Sequence, residues 1–225
     1  MRFWVLIVAL LLTHPLRGNG AELPLVDIDL HQAVFSDKLT QHSVGQSFQD
    51  SRGALWFVTQ EGLNKYNGHE LENYQFSAND PDSLPTNNIT RMAEDNQGHL
   101  WFSSRGAGLI SYNSVSNRFE ALYTDPNNNN TPHSNDIRTV FSDSSGTLWL
   151  GYLNSFSKFD PEERSFHHFV SGVAGIPIVG EVGGFTETSD GAIWASTQLS
   201  GLLRIDPTAN DISIHAHDSD GPNNI

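Results

Sequence analysis

The chain has 225 residues, 37% of them apolar, with 26 acidic and 12 basic side chains and a formal net charge of -14 with neutral histidine. That balance disfavours nucleic acid and anionic membrane surfaces as partners. The absence of cysteine excludes a disulfide framework and a thiolate metal site, and a chain of this length buries a sizeable core without such staples.

Residues 1–20 open with Met1-Arg2, run through an uncharged apolar stretch from Phe3 to Leu12, and close on the small residues Gly18-Asn19-Gly20-Ala21. This is the layout of a secretory signal peptide, with an apolar run too short for the about 20 residues a spanning helix needs. Cleavage after Gly20 is expected, so the mature part is exported. No later run reaches membrane length, and no membrane contact is expected of it. Residues 21–43 form an N-terminal segment in which 24–35 reads as a strand left over to close a ring.

From there one cassette, Asp-x-x-Gly-x-Leu-Trp, dominates the chain. Its copies are Asp50-Ser-Arg-Gly53-Ala-Leu-Trp56, Asp95-Asn-Gln-Gly98-His-Leu-Trp101 and Asp143-Ser-Ser-Gly146-Thr-Leu-Trp149, with a looser fourth at Thr188-Ser-Asp-Gly191-Ala-Ile-Trp194. The tryptophans lie 45, 48 and 45 residues apart. A period of roughly 40 to 50 residues with short strands and turn residues points to propeller blades. In the second copy Ile89–Glu94 reads as a strand, 95–98 as a tight turn, Leu100–Ser103 as a second strand, Leu109–Tyr112 as a third and Arg118–Leu122 as a fourth. Asp opens the turn by accepting from nearby backbone, and Gly closes it in left-handed geometry. Four antiparallel strands make one blade. The fold class is therefore all-β, a propeller with repeats near 44–88, 89–136, 137–181 and 182–224. The third copy has Ser155-Phe156 where the others have Gly-Leu, so its second turn is expected to take a different backbone shape. The recurring tryptophans read as scaffold, each filling the gap between neighbouring blades.

The cassette, followed by Gly-Leu-x-x-Tyr-Asn and an aromatic strand, resembles the two-component regulator propeller repeat from about Leu39 to Ile225. The resemblance implies a periplasmic sensor module, the input part of a hybrid histidine kinase or diguanylate cyclase, in which such repeats build seven-bladed propellers. It also implies a carbohydrate-like ligand and a dimeric receptor. The residues Gly221-Pro-Asn-Asn-Ile225 repeat the approach to the second cassette, Leu84-Pro-Thr-Asn-Asn-Ile89. The chain therefore reads as an N-terminal piece of a longer propeller, an open arc of limited stability alone.

Within a blade, the loop between strands two and three shares a face with the loop leading into strand one, and ligand contacts are expected to gather there. The candidates are Gln60, Glu61, Arg105, Tyr152, Asn154 and Gln198 on the first set of loops, and Asn87, Asn88, Asn135 and Asp136 on the second. Amides, a tyrosine, carboxylates and one arginine suit a hydroxyl-rich or anionic small molecule or oligosaccharide, and Arg105 suits a carboxylate best. Asn and Asp also populate turns for purely local reasons. His167-His168 and His215-Ala-His217 support at most a weak two-ligand surface site, and Asp218-Ser-Asp-Gly221 reads as a turn, so neither a metal nor a cofactor is expected. No nucleophile elbow, HExxH or phosphate loop appears, and no catalytic residue is assigned. A secreted propeller lyase and a protein-interaction scaffold are the alternatives to a sensor. The tract Asn127–Asn130 reads as a mobile loop between blades.

Overall fold

The computed structural model describes residues 38–172, 178–207 and 211–215. The expected signal peptide, the leftover strand at 24–35, His217 and the turn at 218–221 lie outside the described residues. Among the described residues, sixteen strands form four antiparallel four-stranded sheets, each in sequential order. Blade 1 holds β1 (Val44–Gln49), β2 (Leu55–Thr59), β3 (Gly62–Tyr66) and β4 (Leu71–Tyr74). Blade 2 holds β5 (Ile89–Glu94), β6 (Leu100–Ser104), β7 (Leu109–Asn113) and β8 (Arg118–Leu122). Blade 3 holds β9 (Thr139–Ser142), β10 (Leu148–Gly151), β11 (Ser155–Asp160) and β12 (Ser165–Val170), and blade 4 holds β13 (Val182–Glu187), β14 (Ile193–Thr197), β15 (Leu202–Asp206) and β16 (Asp211–His215). First strands adjoin in series, β1 beside β5, β5 beside β9 and β9 beside β13, which is the blade arrangement of a propeller.

The cassette works as one hydrogen-bonded unit. In the first three blades the Asp backbone carbonyl accepts from the Gly N–H, and that Gly takes φ of 88, 79 and 89°. One carboxylate oxygen accepts from the N–H groups two and four residues on, at 2.9–3.1 Å. The other accepts the indole N–H six residues on: Trp56 to Asp50 at 2.9 Å, Trp101 to Asp95 at 2.9 Å and Trp149 to Asp143 at 2.8 Å. The turn that closes the hairpin thus also holds the tryptophan. In blade 4 the backbone turn survives through Gly191, while Thr188 bonds Asp190 and the Ala192 carbonyl instead, and Trp194 is only half-buried.

Each clasped ring packs onto the next blade, as the scaffold reading expects. Trp56 meets Tyr112 at 5.2 Å and Phe102 at 5.8 Å, Trp101 meets Phe159 at 5.4 Å, and Trp149 meets Phe185 at 6.1 Å. The three core clusters accordingly straddle blades 1 and 2, 2 and 3, and 3 and 4. The cassette turns are also latched in series. Ser51 donates its N–H and hydroxyl to Glu94, Asn96 donates to the Ser145 carbonyl at 2.9 Å, and Ser144 donates its N–H and hydroxyl to Glu187.

The gaps differ in filling. Between blades 1 and 2, Tyr74, Tyr112 and Phe119 form an aromatic wall, with Lys65 over the Trp56 and Tyr112 rings and paired to Glu72 at 3.6 Å. In blade 4 the positions of Tyr112 and Phe119 are held by Ile205 and Ile212, and cross-strand register puts His167 opposite Lys158 where Glu72 faces Lys65. A groove of ≈520 Å³ lies there, lined by Thr147, Lys158, Asp160, Phe166, His167 and Pro207 among others.

The irregular third blade has a visible cause. Gly62, Gly108 and Gly201 take φ of 119, 71 and 77° at the first residue of strand three or just before it, whereas in blade 3 Asn154 takes the left-handed position one residue earlier, at φ 58°. The loop read as mobile is instead tied to blade 3: Asn130 accepts from the Phe166 N–H at 2.8 Å and donates to the Arg164 carbonyl at 3.1 Å.

Candidate functional site

The loops between second and third strands and the loops leading into the blades meet on one face, as their chain direction requires. Their backbones interlock between blades: Gly106 and Gly108 N–H donate to the Asn135 carbonyl, and Val182 N–H donates to that of Tyr152. Arg105 and Asp136 sit opposite each other in a two-residue bridge, and so do Leu153 and Glu181. The Arg105 N–H also donates to the Asn88 carbonyl at 2.9 Å, so Asn88, Arg105 and Asp136 form one strip.

Arg105 is exposed, and among the described residues its guanidinium has no ion pair. Beside it lies a half-satisfied network that joins the candidate Asp136 to Arg138 and Glu181, which the sequence did not single out. Arg138, with a side chain only 14% exposed, donates to Asp136 at 3.0 Å and faces Glu181 at 3.5 Å. Arg138 Nε and Asp136 Oδ1 are buried without protein partners among the described residues. Those two atoms are enclosed, while the Asp136 and Glu181 side chains as wholes are 47% and 39% exposed, so their carboxylates can still accept from hydroxyl groups. Glu181 precedes Val182 as Asp136 precedes Ile137 and Asn88 precedes Ile89. That shared slot was the signal available for finding it.

The remaining candidates divide. Gln60, Glu61, Asn154 and Gln198 are exposed on this face. Gln60 accepts from Gln41 at 3.4 Å, and the Asn154 side chain accepts from the Gly180 N–H at 2.7 Å, so Asn154 also fixes its own loop. Asn87 and Asn135 play matching structural parts, accepting from the Phe76 N–H at 2.6 Å and the Thr124 N–H at 2.8 Å. Tyr152 departs from expectation, because its ring belongs to the core between blades 2 and 3 and is 1% exposed. Burial pushes its hydroxyl up to about 12, opposed by Ser157 and the His133 backbone. Leu153, Val179 and Leu199 are exposed beside these groups, giving the blade 3 and 4 side of the face an apolar rim.

His168 engages both ring nitrogens, with Ser157 at 2.7 Å and the Asn129 carbonyl at 3.0 Å, and no group of three metal-binding side chains occurs among the described residues.

Four sequential antiparallel blades, each locked to the next by a clasped tryptophan, define an array of β-propeller repeats. Residues 83–106 match the family model described as two component regulator propeller. It is 31% identical over 105 residues to histidine kinase P4 of Formosa agariphila, a match covering 44% of this chain and 7% of the kinase. Among solved structures it is similar to the extracellular domain of a hybrid two component system from B. thetaiotaomicron, with TM-score 0.67 and 24% identity, covering 76% of this chain and 24% of that one. It is also similar in fold to virginiamycin B lyase from Staphylococcus aureus, with TM-score 0.54 and 18% identity, covering 77% of this chain and 55% of the lyase. The chain thus spans a small fraction of the signalling proteins it matches. Among the described residues no helix is long and apolar enough to cross a membrane.

Proposed function

We propose that this chain is a ligand-sensing propeller module, the periplasmic input part of a membrane signalling protein of the two-component or diguanylate cyclase type. Its ligand is carbohydrate-like and carries a carboxylate. The observation that carries this reading is the strip formed by exposed Arg105 and the Asp136–Arg138–Glu181 network, where a cation lies next to partly exposed carboxylates that can accept from hydroxyl groups. The match of residues 83–106 to the two component regulator propeller model and the likeness to an extracellular sensor domain support it. The chain performs no turnover; occupancy shifts the population between arrangements of a dimeric receptor.

The test is calorimetric titration of the purified chain with a panel of neutral and uronate-containing oligosaccharides. An acidic member binds saturably, and Arg105→Ala weakens it about 10- to 100-fold, the value of a charge-assisted hydrogen bond. Binding that is indifferent to Arg105→Ala, or none across the panel, sinks the reading.

A further inference from the structure

We propose that the connection between blades 2 and 3 is an acid-released strap that covers the outer edge of β12. Residues 124–135 fold on themselves, with Asp125 accepting from the Asn127 N–H and Thr131 bonding both the Asp125 N–H and the Asn128 carbonyl. The folded segment then docks on blade 3 at three places. Asn130 satisfies the edge donor of Phe166 and the edge carbonyl of Arg164, mimicking a neighbouring strand with one side-chain amide. The Asn129 carbonyl accepts from His168 Nε2 at 3.0 Å. The His133 ring lies 5.5 Å from that of His168 and 5.8 Å from that of Tyr152.

The hydrogen bonds fix the proton pattern of the closed strap. A carbonyl can only accept, so Nε2 of His168 carries a proton and Nδ1 of the neutral ring accepts from Ser157 at 2.7 Å. A proton added to His168 therefore breaks no bond, because the Ser157 hydroxyl can reverse. A proton on each ring instead places two cations with ring centres 5.5 Å apart across the seam between strap and edge. Around the pair, Tyr152 packs on His133, Ser157 lies opposite His168, and His167 with Lys158 across from it faces the other side of the sheet. No carboxylate among the described residues is paired with either ring.

Burial and then His168 hold His133 below the usual histidine range. The closed strap thus keeps His133 neutral, while an open strap lets it take a proton at its ordinary pKa. Closure is fully favoured above that ordinary value and weakens as pH falls through and below it.

Hydrogen exchange of the full chain at pH 7.5 and 5.5, corrected for intrinsic rates, tests this. Peptides covering Phe166–Val170 exchange several-fold faster at pH 5.5, while those covering β8 do not change. His133→Gln keeps β12 slow at both values, and Asn130→Ala makes it fast at both. The proposal is overturned by a pH-independent β12, by an equal loss of protection in β8, by an unaltered response in His133→Gln, or by slow exchange in Asn130→Ala.

Discussion

Asp143 is the residue on which most depends locally, because its carboxylate serves two backbone N–H groups, the Ser145 hydroxyl and the Trp149 indole while being only 9% exposed. Truncating it strands a buried indole N–H and unties the turn. Asp143→Ala is expected to cost about 3 kcal/mol in urea denaturation, and a loss under 1 kcal/mol would show that the clasp is incidental. The recurrence of Asp, Gly and Trp was legible in the sequence, but the bond from Asp to Trp was not inferred, although the constant six-residue offset carried it. Arg138 and Glu181 escaped for the opposite reason. Each occupies a repeated slot with a residue that does not repeat, and pattern reading favours what recurs. Tyr152 was misplaced because loop alignment fixes a residue's position along the chain and not the side its ring turns to. One residue after Gly151, that side is the core.

Strands were the most legible elements, since their apolar runs, turn residues and period agree with one another. Only Ser104 and Asn113 extend the expected strands of blade 2. Loops were read less well, because their shapes follow from contacts with other blades. Asn130 on β12 is such a contact, and nothing local to the asparagine tract encodes it. The turn before β7 gives a sharper test. Gly108 has φ 71°, and a Cβ there would run into the Leu122 carbonyl. Gly53 has φ 88° with open space around it. Gly108→Ala is therefore expected to cost about 3 kcal/mol and Gly53→Ala about 1 kcal/mol, the strain of left-handed backbone alone. Equal losses on thermal or urea unfolding would show that the carbonyl clash is relieved by movement.

In the molecule as a whole, adjacent blades interact through unequal seams, so stability is a sum of blade and nearest-neighbour terms. The seam between blades 1 and 2 is walled by Tyr74, Tyr112 and Phe119, and that between blades 3 and 4 carries Ile205, Ile212 and a groove of ≈520 Å³. Blade 4 is expected to separate first as denaturant is added, with amides of β13 to β15 exchanging at lower urea than those of β5 to β7. Ile205→Tyr should narrow that difference, and an order of opening reversed in the native chain would refute the argument. The seams also carry their own light. Trp56, Trp101 and Trp149 each sit inside one interface and Trp194 is half-buried on blade 4. The three clasped indoles and Trp194 are thus four fluorophores in distinct surroundings, and variants retaining one of the chain's five tryptophans at a time would let the emission colour of Trp56, Trp101 or Trp149 each report on a single joint.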